Sequence, residues 1–393
     1  MQNDSSKKII LGILVLLIFA LIFIIPLPPL NYAGRGDFTG YWSAAYLLRH
    51  SENFSDPALL LNIEQSLADW RGDFTIVTWN PPWLLTLLLP YTFFTFSRAS
   101  WLWLMTNIML ISAGSIFSWL ACVENKKVKQ FAWLAPLIAI FFIPTLTALY
   151  MGQVNTLVFF GLALYLFLQQ KGHQLGAGGT LSLTMVKPHL VYITIPILLL
   201  RALFNGNWRL LAGFASVLLL LTGVALGLRP SFPLDYASSV GNGDLLAWIT
   251  PTLGGILDLA FGWRWAKLMG IVILPLAIWI WWRYRDKVNT PELVQISLLA
   301  SVITAPFGWA YDVVVLLIPL IQIIVWMVER RFSPKQTAGL ALALLFMDIL
   351  IVWQRNSHNR AGDEQFFLVP LIISIIYFAA FNWKRQNLRV VLS

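Results

Sequence analysis

An all-helical, polytopic membrane fold is what this sequence predicts, and three observations predict it. Of its 393 residues 58% are hydrophobic and only 11% are charged. Mean hydropathy is +0.73. The Lys and Arg residues fall in short runs between long apolar stretches. A soluble domain carries about 25% charged residues, so less than half that share excludes a soluble enzyme, a disordered chain and a nucleic-acid binder. The net charge of +9 does not change this, because its cations punctuate apolar segments instead of forming one basic face. A single cysteine, Cys122, excludes a disulfide framework and a Cys-x-x-Cys pair. Four dispersed histidines exclude the common His-rich metal sites, and no metal is expected. The 19 Trp and 26 Phe suit interfacial belts and lipid-facing surfaces.

A span needs about 20 mostly apolar residues. In order, the candidate spans are 9–29, 100–122, 131–149, 154–168, 175–186, 190–204, 210–228, 265–282, 294–305, 313–328, 337–353 and 366–381. The first has an apolar stretch longer than a secretory signal's core, and no Ala-x-Ala site follows, so it reads as an uncleaved span. Segment 81–96 is apolar but opens on Asn80-Pro81-Pro82. If it does not cross, 17 of the 27 basic residues lie on cytoplasmic loops; if it crosses, 9 do. The positive-inside rule favours the first arrangement. Segment 81–96 is then an external interfacial or re-entrant helix, and about 12 spans place both termini in the cytoplasm.

The chain reads as one integral membrane domain. Its largest polar region, 31–99, is an external loop holding two short helices near the membrane surface, 40–49 and 57–70. A second external loop covers 229–264 and is rich in Gly, Pro, Ser and Asp. The chemistry is therefore expected on the non-cytoplasmic side.

Several residues on that side could act on a substrate. Asp37, in Gly36-Asp37-Phe38-x-x-Tyr41, follows the first span. It reads as a helix N-cap or as a partly desolvated general base. Gln153 and Asn155 could bond sugar hydroxyls or satisfy frayed helix carbonyls. Lys187, in Lys187-Pro188-His189 between apolar runs, reads as a phosphate ligand or as a snorkelling lysine. His189 could donate to the same anion or serve backbone freed by the proline. In Pro306-Phe307-Gly308-Trp309-Ala310-Tyr311-Asp312, Asp312 is an N-cap or a substrate ligand. Trp309 and Tyr311 could stack on a sugar or lie as interfacial aromatics. Arg264 and Lys267 could bind phosphate or anchor a helix. Asp348, inside a span and near Arg355, is a secondary candidate. A secondary transporter or lipid-carrier flippase is the rival class. It would be expected to show inverted repeats and midplane polar groups, whereas no repeat is visible and the polar residues gather toward one face.

In their order, these pieces resemble glycosyltransferase family 87, which contains polyprenyl-phosphate-mannose-dependent mannosyltransferases. The resemblance rests on Asp37-Phe38-x-x-Tyr41-x-x-Ala44, Asn80-Pro81-Pro82, Gly152-Gln153-x-Asn155, Gly178-Gly179-x-Leu181 leading to Lys187-Pro188-His189, and Pro306-x-x-Trp309 followed by Pro319. It implies a GT-C-like fold and a polyprenyl-phosphate sugar donor, with a lipid or glycan acceptor and no cofactor. It also implies Asp37 as the catalytic base and Lys187 as the phosphate ligand. Tyr41, Asn80, Gln153, Asn155, His189, Arg264, Trp309, Tyr311 and Asp312 are the expected substrate contacts. The sequence departs from the family pattern at Ala310-Tyr311-Asp312, where members resembling the mannosyltransferases often carry histidine.

Overall fold

The computed structural model describes residues 33–242, 247–248, 250–357 and 366–392. These form helices and connecting turns, with no strand among the described residues. In chain order α1 is Phe38–Arg49, α2 Pro57–Leu67, α3 Trp83–Leu88, α4 Phe96–Cys122, α5 Leu134–Phe141, α6 Ile143–Met151, α7 Asn155–Gln170, α8 Gln174–Leu181 and α9 Thr194–Phe204. Then follow α10 Trp208–Leu228, α11 Phe232–Asn242, α12 Leu253–Phe261, α13 Gly270–Tyr284, α14 Thr290–Ile303, α15 Leu317–Val328, α16 Pro334–Ser357 and α17 Leu368–Leu392. Short 3₁₀ turns join several of them, at Leu89–Phe93, Ser182–Val186, Pro188–Leu190, Arg264–Leu268 and Ala310–Leu316.

Helix α4 has 27 residues. At 1.5 Å per residue it is about 40 Å long, more than a hydrocarbon core of about 30 Å. Five more stretches are long and apolar enough to cross: Trp208–Leu228, Arg264–Tyr284, Ala310–Val328, Pro334–Gln354 and Leu368–Asn387. The Ala310–Val328 stretch is 83% buried and forms the centre of the bundle, whereas Arg264–Tyr284 is 11% buried and Trp208–Leu228 17%, so these two turn apolar side chains outward. Helices α5 and α6 qualify only as a pair, bent by 77°. The bend has a local cause. Phe142 is extended, and Pro144 in the first turn of α6 lacks the N–H that would continue α5.

The twelve expected spans are therefore not what the described residues show: six helices qualify, or seven with the bent pair. Segment 9–29 lies outside the described residues. Segments 154–168, 190–204 and 294–305 are apolar helices of 10–17 residues, too short to cross unaided. Segment 175–186 is an eight-residue helix, α8, running into a 3₁₀ turn. Apolar composition counted these as spans because it does not register where a helix breaks. Segment 81–96 is α3, packed against α10, plus a 3₁₀ turn that leaves Phe93 and Phe94 exposed; Thr86 Oγ1 donates to the Leu221 carbonyl of α10 at 3.0 Å.

The expected surface helix at 40–49 is instead α1, buried along most of its length. Its first residue explains this. The Phe38 ring stacks on Trp103 at 5.6 Å and on Phe96 at 6.1 Å, and meets Tyr91 edge-on at 6.2 Å, which docks α1 against α4. Helix α2 matches its expected start: Pro57 opens it and Asp56 Oδ1 accepts from Ala58 N at 2.9 Å. Beyond it, both carboxylate oxygens of buried Glu64 accept from Ile76 N at 3.1 Å, pinning the 69–80 segment; burial pushes this carboxyl up to about 7.

Candidate active site

Five elements converge at one end of the bundle: the start of α1, the α6–α7 turn, the 3₁₀ segment around Lys187, the start of α3, and the turn entering α15. The α6–α7 turn is set by Gly152, which ends α6 in the left-handed region at φ +64°. A Cβ there would lie 2.6 Å from the Gly34 carbonyl oxygen, so only glycine lets the two turns touch. Gly34 N donates to Tyr150 O at 2.9 Å, and Trp103 Nε1 donates to Gly152 O at 2.7 Å. The next residue, Gln153, is thereby delivered to Asp37.

Asp37 precedes α1 but its side chain does not cap it; the residue is itself αR, and its carboxylate makes no capping bond. Instead its Oδ2 accepts from Gln153 Nε2 and from Tyr311 Oη, the latter at 3.0 Å. Tyr41, one turn into α1, donates to Gln153 Oε1 at 3.2 Å, which turns the amide nitrogen toward Asp37. The capping alternative is thus decided against by the fold. Burial raises the Asp37 carboxyl above its ordinary value. The charge of Lys187 and the hydrogen bonds from Tyr311 and Gln153 pull the other way, and the Asp312 carboxylate adds to the rise.

Beside this lies a buried ion pair. Lys187 Nζ donates to Asp312 Oδ1 at 2.7 Å, with 3% and 2% of the side chains exposed. The ammonium also faces the Tyr311 ring at 4.9 Å and the Trp309 ring at 5.8 Å. Asn155 Nδ2 donates to Tyr311 O at 2.6 Å and to Asp312 Oδ1 at 3.3 Å. Asp312 Oδ2 accepts from Trp309 N at 3.1 Å, so the residue braces its own turn from the third position of a 3₁₀ segment and is not the N-cap of an α-helix. The Trp309 and Tyr311 rings are nearly parallel, 6.2 Å apart. Lys187 is not a snorkelling side chain: its charge stays inside the protein.

The remaining expected contacts divide. Asn80 Nδ2 donates to Val186 O at 2.8 Å, so its amide holds backbone. Trp83, which the sequence reading passed over, donates to Met185 O at 2.9 Å. Together they fix the two carbonyls directly before Lys187. The only hint of Trp83 in the sequence was its place just after the Asn80-Pro81-Pro82 motif. His189 packs on the Phe307 ring at 4.3 Å, and its Nε2 is buried with no partner among the described residues. Burial pushes its pKa down to about 3, so it stays neutral and adds no positive charge. Arg264 is exposed on its 3₁₀ turn and is not part of the hydrogen-bonded cluster; neighbouring Lys267 is the buried one, paired with Asp258 at 2.7 Å. Asp348, on α16, has its Oδ1 buried and unpartnered among the described residues, and none of the residues lining the cavity beside it belongs to the Asp37 cluster; the side chain of Arg355 lies outside the described residues.

The arrangement is suited to moving a proton from a hydroxyl near Asp37 in a site that also holds fixed charge. Glycosyltransferase family 87 matches residues 78–352, which include Gln153, Asn155, Lys187, Trp309, Tyr311 and Asp312, while Asp37 and Tyr41 precede the matched stretch. No curated protein and no solved structure matches the chain. Since the matched stretch is well over half of the sequence and carries most of this cluster on membrane-length apolar helices, the chain belongs to glycosyltransferase family 87 and is a membrane glycosyltransferase.

Proposed function

We propose that the protein transfers a sugar, with mannose the first candidate, from a polyprenyl-phosphate donor to a lipid or glycan acceptor on the non-cytoplasmic face of the cell membrane. The observation that carries this reading is the Asp37 carboxylate. Two neutral donors hold its Oδ2, from Gln153 and Tyr311, while no hydrogen bond from the described residues occupies Oδ1. In the proposed step Oδ1 takes the proton of the acceptor hydroxyl. The acceptor oxygen forms its bond to the anomeric carbon as the bond from that carbon to the phosphate oxygen breaks. The electron pair leaves on the polyprenyl phosphate, and single displacement inverts the centre.

A raised Asp37 pKa suits this role, because a base closer to neutrality has more driving force to accept a proton. Lys187 supplies positive field for the departing phosphate. Its pairing with Asp312 holds the ammonium in place beside the Tyr311 and Trp309 rings. The near-parallel Trp309 and Tyr311 rings offer a surface for a pyranose. The step requires no metal and no cofactor, and membrane lipid surrounds the donor's tail. Both termini lie in the cytoplasm in this reading.

The test is sugar transfer by purified wild type and Asp37→Asn, with labelled polyprenyl-phosphate sugars and a membrane-lipid extract as acceptor. Asn keeps the size and the hydrogen bond from Tyr311 but accepts no proton. Loss of a general base costs about 10²–10⁴ in rate, so transfer should fall at least a hundredfold while the melting temperature holds. Undiminished transfer by a folded Asp37→Asn protein would rule out the mechanism.

A further inference from the structure

A polar cavity of about 600 Å³ lies at the other end of the bundle. Helix α9 runs from the Lys187 segment to Phe204, and α14 runs from Thr290 back toward the turn that carries Tyr311. The cavity sits where α9 ends and α14 begins. It is therefore separated from Asp37 by the length of those helices, about 21 Å for the 14 residues of α14.

Its wall is cationic and preformed. The Arg285 guanidinium stacks 3.9 Å from the Trp282 ring centroid, and Phe204 meets the same indole edge-on at 4.7 Å. Arg201 Nη1 donates to Val288 O at 3.0 Å, which ties the end of α9 to the linker before α14 and aims the rest of the guanidinium along the cavity wall. Lys287 adds a third cation. The carboxylate at the rim, Asp286, is 91% exposed and 4.0 Å from Arg285, too far and too solvated to neutralise three cations. Trp281 also lines the cavity. It is 5% exposed, and its indole Nε1 is buried with no hydrogen-bond partner among the described residues.

Cations at helix C-termini complement the dipole, but that role does not require Arg201, Arg285 and Lys287 to line one cavity, as they do. Three cations around one cavity call for an anion with several oxygens. The setting chooses its source. Helices α9 and α13 present exposed apolar and aromatic side chains beside the cavity, Leu203, Phe204, Trp279, Trp282 and Tyr284, as expected where a helix leaves the bilayer. We infer that this cavity binds the phosphate headgroup of an anionic phospholipid, with the acyl chains lying against α9 and α13.

The experiment uses the full-length protein purified in detergent. It is incubated with phosphatidylglycerol or phosphatidylcholine, and retained lipid is counted by native mass spectrometry, with inorganic phosphate as competitor. Phosphatidylglycerol should be retained where phosphatidylcholine is stripped. Arg285→Gln with Lys287→Gln, both at exposed positions, should weaken retention about tenfold or more, and Arg285→Lys should keep most of it. Equal retention of the two lipids, or undiminished retention by the Gln variants, would overturn the inference. Full displacement by millimolar inorganic phosphate would assign the cavity to free phosphate and overturn the lipid source. Sugar transfer by the Gln variants in detergent should match wild type, since neither residue touches the Asp37 site.

Discussion

Asp37 illustrates how little a residue's neighbours in the chain say about its work. Its position before a helix suggested a cap, yet the carboxylate turns away from the helix to Gln153 and Tyr311, 116 and 274 residues distant. Tyr311 stands where the sequence departs from its family's pattern, and the structure gives the departure a job: its hydroxyl holds the candidate base. Removing that hydroxyl should change the base in a defined direction. The bond from Tyr311 lowers the Asp37 pKa against the burial that raises it. Tyr311→Phe should therefore raise it further, leaving less carboxylate at neutral pH. The rising limb of the kcat/KM profile should move to higher pH. An unmoved limb would mean that Asp37 is not the group being titrated. The Lys187–Asp312 pair makes a second residue-scale prediction. Lys187→Met strands a buried carboxylate and should cost about 3–5 kcal/mol of stability. Adding Asp312→Asn should restore much of the melting temperature without restoring transfer. Joint recovery of both would make the pair purely structural.

Among the elements, α8 and α10 pair closely. A Cβ on Gly178 would sit 1.9 Å from the Leu210 carbonyl oxygen, and one on Gly213 would sit 2.0 Å from that of Leu175. The helices touch backbone to backbone, as small residues permit in membranes. This contact matters for the site because α8 leads directly into the 3₁₀ turns that carry Lys187. Gly178→Val should force the helices apart, lower the melting temperature in detergent by an amount equivalent to about 1–3 kcal/mol, and reduce transfer with it. The adjacent Gly179 has its nearest neighbour, Val217 Cγ2, at 3.4 Å, so Gly179→Ala should be tolerated. Equal damage from both variants would remove the special role of the Gly178 contact. The sequence showed Gly178-Gly179 as part of a resemblance; which of the two glycines is indispensable was visible only once α10 was in place.

For the whole molecule, the orientation in the bilayer rests on the distribution of Lys and Arg. That reading places Lys126, Lys127 and Lys129 in the cytoplasm and Asp69 outside. Substituted-cysteine labelling checks it against a quiet background, because the single native Cys122 is buried. Asp69→Cys should react with an impermeant maleimide on intact cells, and Lys127→Cys only after lysis. The reverse pattern would invert the topology and move the proposed chemistry to the cytoplasmic side.

By itself the sequence determined the solvent, the secondary structure class and the residues worth watching. Few charges and long apolar runs leave a helical membrane protein as the physical solution, since backbone polar groups in lipid must be satisfied within the segment. Asp37, Gln153, Asn155, Lys187, Tyr311 and Asp312 were legible because polar groups in apolar surroundings are costly and stand out. Only the tertiary structure decided how many of the apolar runs are membrane-length helices, because a proline or an extended residue such as Phe142 ends a helix without changing its hydropathy. It also decided which partner each polar group takes. A carboxylate or ammonium in low dielectric must find its counterpart within a few ångströms, and packing, not proximity in the chain, brought Asp312 to Lys187 across 125 residues.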